Sequence, residues 1–316
     1  MLRFLGRRLA VIPFVLIGAS IVVFMMMHLA PGDPAQAMLG PMASPAELQR
    51  LRVALGLTEP LYQQYWDWLI RAVHGNLGQS IYFKDAVVQE VVIRLGATGF
   101  LVLCSFIFAA VFGTIFGFVS AAYRNTVIDR MILGIATLGI SFPPFYLGML
   151  LIMVFALTFH VLPMSGLTNI TGTGGFLTEL RHVILPSIAL GAGPLTVIAR
   201  MMRSSVLEEM GHDYIRTARA KGLKTKRILV KHVLKNALIP TVDLLGLQVG
   251  YLASSTALVE VVFSWPGIGN LLITSITNRD LPLTQGIVLV LTVTYVVVNL
   301  VTDIAHASLD PRLRYE

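Results

Sequence analysis

From Leu9 to Leu29 the chain carries no acidic or basic residue except His28, a run long enough to cross about 30 Å of hydrocarbon as a helix. Comparable runs lie near residues 96–122, 131–161, 183–202, 237–263 and 283–305. Lipid offers no partner to backbone amides and carbonyls, so each run must close its hydrogen bonds within itself. With 55% hydrophobic and 13% charged residues among 316, the chain is too apolar for an ordinary soluble domain. The expected fold is an all-α polytopic membrane protein with six transmembrane helices and a soluble insertion after the first. A secretory signal peptide competes for the first run, with Ala35-Gln36-Ala37 as a cleavage site, but the run exceeds the usual signal core of about 7 to 15 residues. We read it as a retained span. Pro143-Pro144 interrupts the third run, and such a break is tolerated only where protein or a cavity satisfies the freed backbone, so a bundle interior or pathway is expected there.

The basic residues orient the spans. With the N-terminus inside, the cytoplasmic pieces hold 17 of the 24 Lys and Arg, ten of them between residues 200 and 235, and positive charge collects on the cytoplasmic side. Both termini are therefore expected inside. The net charge of +7 sits at the ends of apolar spans, where the membrane explains it and nucleic acid does not. The one cysteine, Cys104, lies inside an apolar run and forms no intrachain disulfide.

Between the first and second runs the composition turns soluble. Ser44-Pro45-Ala46-Glu47 is a capping box with proline at the first helical position, and the helix it opens can stop at Gly56. A second helix, Leu61 to His74, places Leu61, Tyr65, Trp68, Leu69 and Val73 on one side, with Gly75 beyond its end. These aromatics are expected to pack on neighbours or sit at the membrane interface.

Residues 208 to 240, EEMGHDYIRTARAKGLKTKRILVKHVLKNALIP, form the one long basic segment between spans. Asp213 is placed to cap a short helix, and Gly222 to end it in the left-handed conformation. Thr225 is placed to cap a second helix. In it Leu229, Val230, Val233, Leu234, Ala237 and Leu238 recur at helical spacing beside a stripe of Arg227, Lys231 and Lys235, so the helix is amphipathic and leads into the next span.

Other polar residues carry less. Ser254, Ser255 and Thr256 put small hydroxyls in the fifth span, where they serve close packing or a translocation pathway. Asp243, Glu260 and Asp303 are costly in hydrocarbon and are expected to face protein, water or the interface. The outer loop from Leu162 to Arg181, with Gly166, Gly172, Gly174 and Gly175, reads as a connector or as a probe for a docked protein. His160, His182, His212 and His232 are scattered, and there is no H-E-x-x-H, paired Cys-x-x-Cys or G-x-S-x-G. No catalytic or metal site is expected. Nor is there a Gly-Lys dipeptide anywhere, hence no phosphate loop to hold ATP. No cofactor is expected in this chain.

The basic loop resembles the cytoplasmic loop of bacterial ABC importer permeases, written E-A-A-x3-G-x9-I-x-L-P. Arg216-Thr217-Ala218 stands in the E-A-A place and Gly222 in the glycine place; Arg replaces Glu, and Pro240 falls five residues late. DYIRTARAKG is similar to the version found in permeases of peptide and nickel importers. APGDPA at 30–35, LGLTEPLYQQYWDWL at 55–69, FPPFYLGMLL at 142–151, VFSWPGIGNLL at 262–272 and DPRLRY at 310–315 extend the likeness nearly end to end. The chain thus resembles the B-type inner-membrane permease of dipeptide, oligopeptide, nickel and glutathione ABC importers, with a type I importer fold.

That resemblance implies a second permease subunit, two ATPase subunits carrying ATP and Mg, a periplasmic solute-binding protein and a bacterial inner membrane. It assigns residues 1–30 to the cytoplasmic N-terminus and first span, 31–95 to a periplasmic helical insertion, 96–305 to the permease core with a cytoplasmic loop at 203–236, and 306–316 to a cytoplasmic tail. It gives Asp213, Tyr214, Arg216, Thr217, Ala218 and Gly222 an ATPase-coupling role, and makes Ser254, Ser255, Thr256 and Glu260 candidates for the pathway. Dipeptides or oligopeptides are the first expectation for the solute, with nickel, glutathione or an opine-like compound as alternatives. A secondary transporter is the rival from another class; it would show ion-coupling residues in the spans and internal repeats, and neither is evident. A membrane-bound scaffold is the second rival.

Overall fold

Where the apolar runs were expected, helices stand. The computed structural model describes residues 2–29, 34–40, 42–54, 56–167 and 175–309. The elements in order are α1 (Leu2–Leu29), α2 (Pro34–Leu39), α3 (Pro45–Ala54), α4 (Leu61–Val73), α5 (Val87–Ala122), α6 (Val127–Ser141), α7 (Pro144–Leu151), α8 (Phe176–Glu209), α9 (Asp213–Ala220), α10 (Thr225–Ile228), α11 (Leu234–Val262), α12 (Ile268–Thr277) and α13 (Leu281–Leu309). Wider π-turns, Ile152–Thr158 and Leu229–Val233, extend α7 and join α10 to α11. Among the described residues the only strand-like pairing is one antiparallel bridge between Gln79 and Ala86.

Val87–Ala122, Phe176–Glu209, Thr225–Val262 and Leu281–Thr302 are long and apolar enough to cross a membrane; Val127–Ser141 and Pro144–Thr158 reach that length and hydropathy only as a pair, bent by 111° as in a broken span or a re-entrant loop. The sixth expected span is α1, a 28-residue helix whose described apolar stretch is Ala10–Met25. The bend in the third span has a local cause. Pro144 disfavours helical backbone at the residue before it, and Phe142 and Pro143 are both extended, with ψ 137° and 142°. At the corner Ser141, Phe142 and Pro143 are exposed on this chain, so of the two expectations, interior or pathway, the pathway is the one this exposure leaves open.

The chain divides into two compact units, residues 1–97 with 267–300 and residues 98–266 with 301–316. Helices α12 and the first part of α13 thus group with the N-terminal residues.

In the first unit the soluble stretch folds as its local signals require. Ser44 and Glu47 form the reciprocal capping box, with the Ser44 amide donating to Glu47 Oε2 (2.9 Å) and the Glu47 amide to Ser44 Oγ (3.3 Å). The Ser44 hydroxyl, which donates to Glu47 Oε2 at 2.7 Å, and then the Ser44 amide favour the charged carboxylate and hold Glu47 below its usual pKa. Gly56 and Gly75 take φ of 70° and 80° where α3 and α4 stop. Tyr65 and Trp68 of α4 pack on Phe24 of α1, and the Tyr65 hydroxyl meets Ser20 Oγ at 2.8 Å. A second cluster joins Val87 and Val91 of α5 to Ile268 and Leu271 of α12 and Leu283 and Ile287 of α13.

The second unit is built on α8, which continues unbroken through Pro186 and Pro194 and is the most buried of the long helices. Lipid tails are as apolar as leucine, so close packing and hydrogen bonds must hold such helices together. Glycines supply the closeness. An added Cβ at Gly117 of α5 would lie 2.4 Å from the Ala199 carbonyl oxygen of α8, and one at Gly113 would lie 2.9 Å from the Leu195 oxygen. Gly139 of α6 approaches Ala192 in the same way, and the Thr196 hydroxyl of α8 donates to the Ala136 carbonyl of α6.

A candidate coupling site on the basic loop

Helix α9 has only two inward-facing apolar residues, Ile215 and Ala218, spaced one turn apart and buried. They close over a cluster made by Ala121 of α5, Met202 and Val206 of α8, Ile228, Leu229 and Val233 of the following helix, and Ala237 of α11. So short a helix is marginal in isolation, and its stability comes from this seat.

Its end is better defined than its beginning. The Gly222 amide donates to the Arg219 carbonyl (2.9 Å) and the Leu223 amide to the Ala218 carbonyl (3.3 Å). Gly222 has φ of 77°, and Leu223 packs against the cluster. This is the full two-bond stop with its apolar contact. At the start, two expectations are corrected. Asp213 and Thr225 are the first residues of their helices and not their caps; His212 and Lys224 occupy the cap positions, and neither makes a side-chain cap bond. In each case the chain arrives extended one residue earlier than a short polar side chain would suggest.

Tyr214 is tied to the body of the protein. Its hydroxyl donates to Glu209 Oε2 (2.5 Å), and Asn236 Nδ2 reaches both the Tyr214 oxygen (3.3 Å) and Glu209 (3.4 Å). Partial burial, and then the Glu209 carboxylate, push the Tyr214 pKa upward, so it remains a donor throughout the physiological range. The other face is free of such ties. Asp213, Arg216, Thr217 and Lys221 are exposed; Arg216 meets Asp213 at 3.2 Å, but an exposed pair one turn apart contributes little. Beside it Lys224, Lys226, Arg227 and Lys231 line a shallow groove with Val230. The result is a short, pinned helix that presents a polar, largely cationic face.

The geometry makes a direct test of the helix stop. No atom lies within 4 Å of a Cβ added at Gly222, so any cost of substitution is conformational and not steric. Gly222→Asn, which tolerates positive φ, is expected to cost little, whereas the β-branched Gly222→Val should lose about 1 to 2 kcal/mol at this corner. Protease sensitivity of residues 210–224 in the assembled complex would distinguish them.

The pathway candidates do not converge. Ser254 is exposed and donates to the Gly250 carbonyl (2.9 Å), Ser255 is half-buried, and Thr256 is buried. Glu260 is fully buried and accepts a hydrogen bond from Thr98 Oγ1 of α5 at 2.6 Å. It faces protein, one of the surroundings expected for it. Thr256 and Glu260 share an inward face, from which Ser254 points away. His182 is buried with its Nδ1 3.1 Å from the Ser165 carbonyl. Gly172 and Gly174 of the loop before α8, the side chain of Asp303, and residues 310–315 lie outside what is described. Among the described residues no three His, Cys, Asp or Glu come together in a metal-binding group.

Sequence reasoning missed two buried carboxylates. Asp129 of α6 pairs with Arg203 of α8, and Asp280, before α13, binds Ser80 and the Tyr82 amide. It also passed over Gly113-x-x-x-Gly117, a small-residue packing signal readable in the string.

Several apolar spans and a pinned helix with a polar outer face are the features of a polytopic membrane protein. The chain belongs to the family described as the inner membrane component of binding-protein-dependent transport systems, whose model matches residues 113–315, with the companion N-terminal model matching residues 1–98. It is 42% identical over 313 residues to the glutathione transport system permease protein GsiC of Pectobacterium atrosepticum, covering 99% of each chain, and 40% identical over 310 residues to GsiC of Escherichia coli strain K12, covering 98% of each. An inward-facing structure of the MetNI methionine ABC transporter shares the fold, with a TM-score of 0.55 at 19% identity over 70% of this chain and 96% of that one. The protein is therefore an inner-membrane permease subunit of an ABC importer and not an enzyme. ATP hydrolysis falls to partner ATPases.

Proposed function

We propose that this permease carries a short peptide of about the size of glutathione, delivered by a periplasmic binding protein, and that α9 is the element through which the ATPase drives it. The likeness to glutathione permeases over 99% of both chains carries the choice of solute, narrowing the dipeptide and oligopeptide expectation toward a tripeptide. The pinned inner face and cationic outer face of α9 support the coupling role. Asp213, Arg216 and Thr217 would meet the ATPase, while Tyr214, Ala218 and Gly222 hold the helix rigid, as transmission between distant sites requires. The Lys and Arg distribution supports cytoplasmic termini, with residues 31–95 on the binding-protein side. Closure of two ATPase subunits on ATP would then swing α9, and this permease and its partner would alternate between inward and outward access.

Uptake in the complex reconstituted with its own binding protein tests both parts. Labelled glutathione is expected to be taken up saturably and to outcompete dipeptides, longer peptides and Ni2+. Uptake of Ni2+ or long peptides with no effect of glutathione would refute the solute assignment. Arg216→Glu should weaken ATPase association about tenfold or more, as truncation or reversal of an interfacial charge does, while leaving the binding protein's affinity for its ligand unchanged. Unaltered assembly, hydrolysis and uptake would return the loop to a mere topology signal.

A further inference from the structure

Asp129 is nearly inaccessible, with a relative exposure of 3%, and its carboxylate accepts four hydrogen bonds. Arg203 Nε donates to Oδ1 (3.0 Å) and Nη2 to Oδ2 (2.9 Å); Ser120 Oγ also donates to Oδ1 (2.5 Å), and the Asn125 amide to Oδ2 (2.9 Å). The four donors come from three places: the end of α5, the α5–α6 corner and α8. Asn125 holds that corner with φ of 64°, a conformation asparagine accepts more readily than most residues.

A buried ion pair is weak evidence for stability, since packed apolar residues often do as well; its best-attested use is to fix register. The position of this one says which register matters. Ser120 lies beside Ala121, and Arg203 between Met202 and Val206, and Ala121, Met202 and Val206 belong to the same buried cluster as Ile215 and Ala218 of α9. The seat of α9 and the carboxylate cage therefore share the same stretches of α5 and α8. The planar, bidentate Arg–carboxylate fork resists rotation as well as separation.

We propose that Asp129 and Arg203 are positioning residues for coupling: they lock the α5–α6 corner to α8, so that a displacement of α9 moves both helices together and reaches the spans. Ser120 and the Asn125 amide aim the carboxylate. This rests on α9 being the ATPase-facing lever.

Two variants separate the coupling role from folding. Arg203→Lys keeps the charge but loses the fork, and Asp129→Asn keeps the shape but loses the charge. Both are made in the full complex, and assembly, basal ATP hydrolysis, hydrolysis stimulated by loaded binding protein, and uptake per ATP are measured. At least Arg203→Lys is expected to assemble with basal hydrolysis retained, while stimulation and uptake per ATP fall about five- to tenfold, a usual size for coupling between sites. Wild-type uptake per ATP in an assembled Arg203→Lys complex would overturn the proposal, whatever Asp129→Asn does. Failure of both variants to assemble would overturn it too, since the pair would then be a condition of folding. Arg216→Glu, run alongside, reports on the lever itself through ATPase association, which the Asp129 and Arg203 variants should leave intact.

Discussion

Gly117→Ala is expected to lower the thermal stability of the complex and the yield of assembled material, and Gly117→Leu to abolish assembly. The added Cβ would stand 2.4 Å from the Ala199 carbonyl oxygen and 2.7 Å from Met202 Cβ. Neither neighbour is the far end of a flexible side chain. The helices must separate, and overpacking of that kind costs about 1 to 3 kcal/mol or more, in a place where close approach is itself the attraction. The same helix supplies its own control. A Cβ at Gly99 of α5 meets nothing within 4 Å, so Gly99→Ala should be neutral or slightly stabilising, because alanine is favoured over glycine in a helix by about 1 kcal/mol. Opposite signs for one substitution at two positions of one helix would be difficult to explain by propensity alone. If both variants melt alike, α5 does not approach α8 as described.

What could be read from the string was mostly local. The Ser44–Glu47 box is visible because its partners are three residues apart and its chemistry leaves few alternatives. Gly56, Gly75 and Gly222 all take positive φ at helix ends, as glycine after a periodic run suggests. The break at Pro143-Pro144 was equally plain, but its angle and its exposed position depend on α8, which the dipeptide does not encode. Asp213 and Thr225 were each displaced by one residue, a normal error where the entering backbone decides the boundary. The coupling site was legible to the extent that it is a helix, a stop and a set of charges. Its seat was not, because Ala121, Met202 and Ile215 come from three separate stretches of chain.

The buried carboxylates show the same limit. Composition flags an acid in an apolar run as costly, yet cannot say which partner relieves it. Glu260 was noticed and Asp129 was not, although both are buried to a similar degree. The partner of Asp129 is 74 residues away and that of Asp280 is 200 residues away. One signal was local and was passed over: Asp280 precedes Leu281-Pro282, an acidic cap followed by proline in the first helical turn. The Leu283 amide does donate to Asp280 Oδ1 at 3.2 Å.

That cap also anchors a loop. Asp280 is fully buried, and its Oδ2 accepts from Ser80 Oγ (2.5 Å) and the Tyr82 amide (2.9 Å). The Phe83 amide donates to the same Ser80 oxygen (2.9 Å), so the Ser80 proton is committed to Asp280. Residues 80–83 are thereby fastened to the start of α13. Asp280→Ala would strand the Leu283 and Tyr82 amides and the Ser80 hydroxyl, and a buried donor left without its acceptor costs about 1 to 3 kcal/mol. A combined loss of roughly 3 kcal/mol or more is expected for the first unit. Asp280→Asn should recover only part of it. The amide oxygen can serve the Ser80–Tyr82 side or the Leu283 side, but its NH2 group then faces a donor on the other. The order wild type, Asn, Ala in thermal unfolding, with protease cleavage between residues 78 and 86 rising in the same order, is the expected result. Asn matching wild type in both measurements would show that a single acceptor suffices, and that Asp280 caps α13 without anchoring the loop.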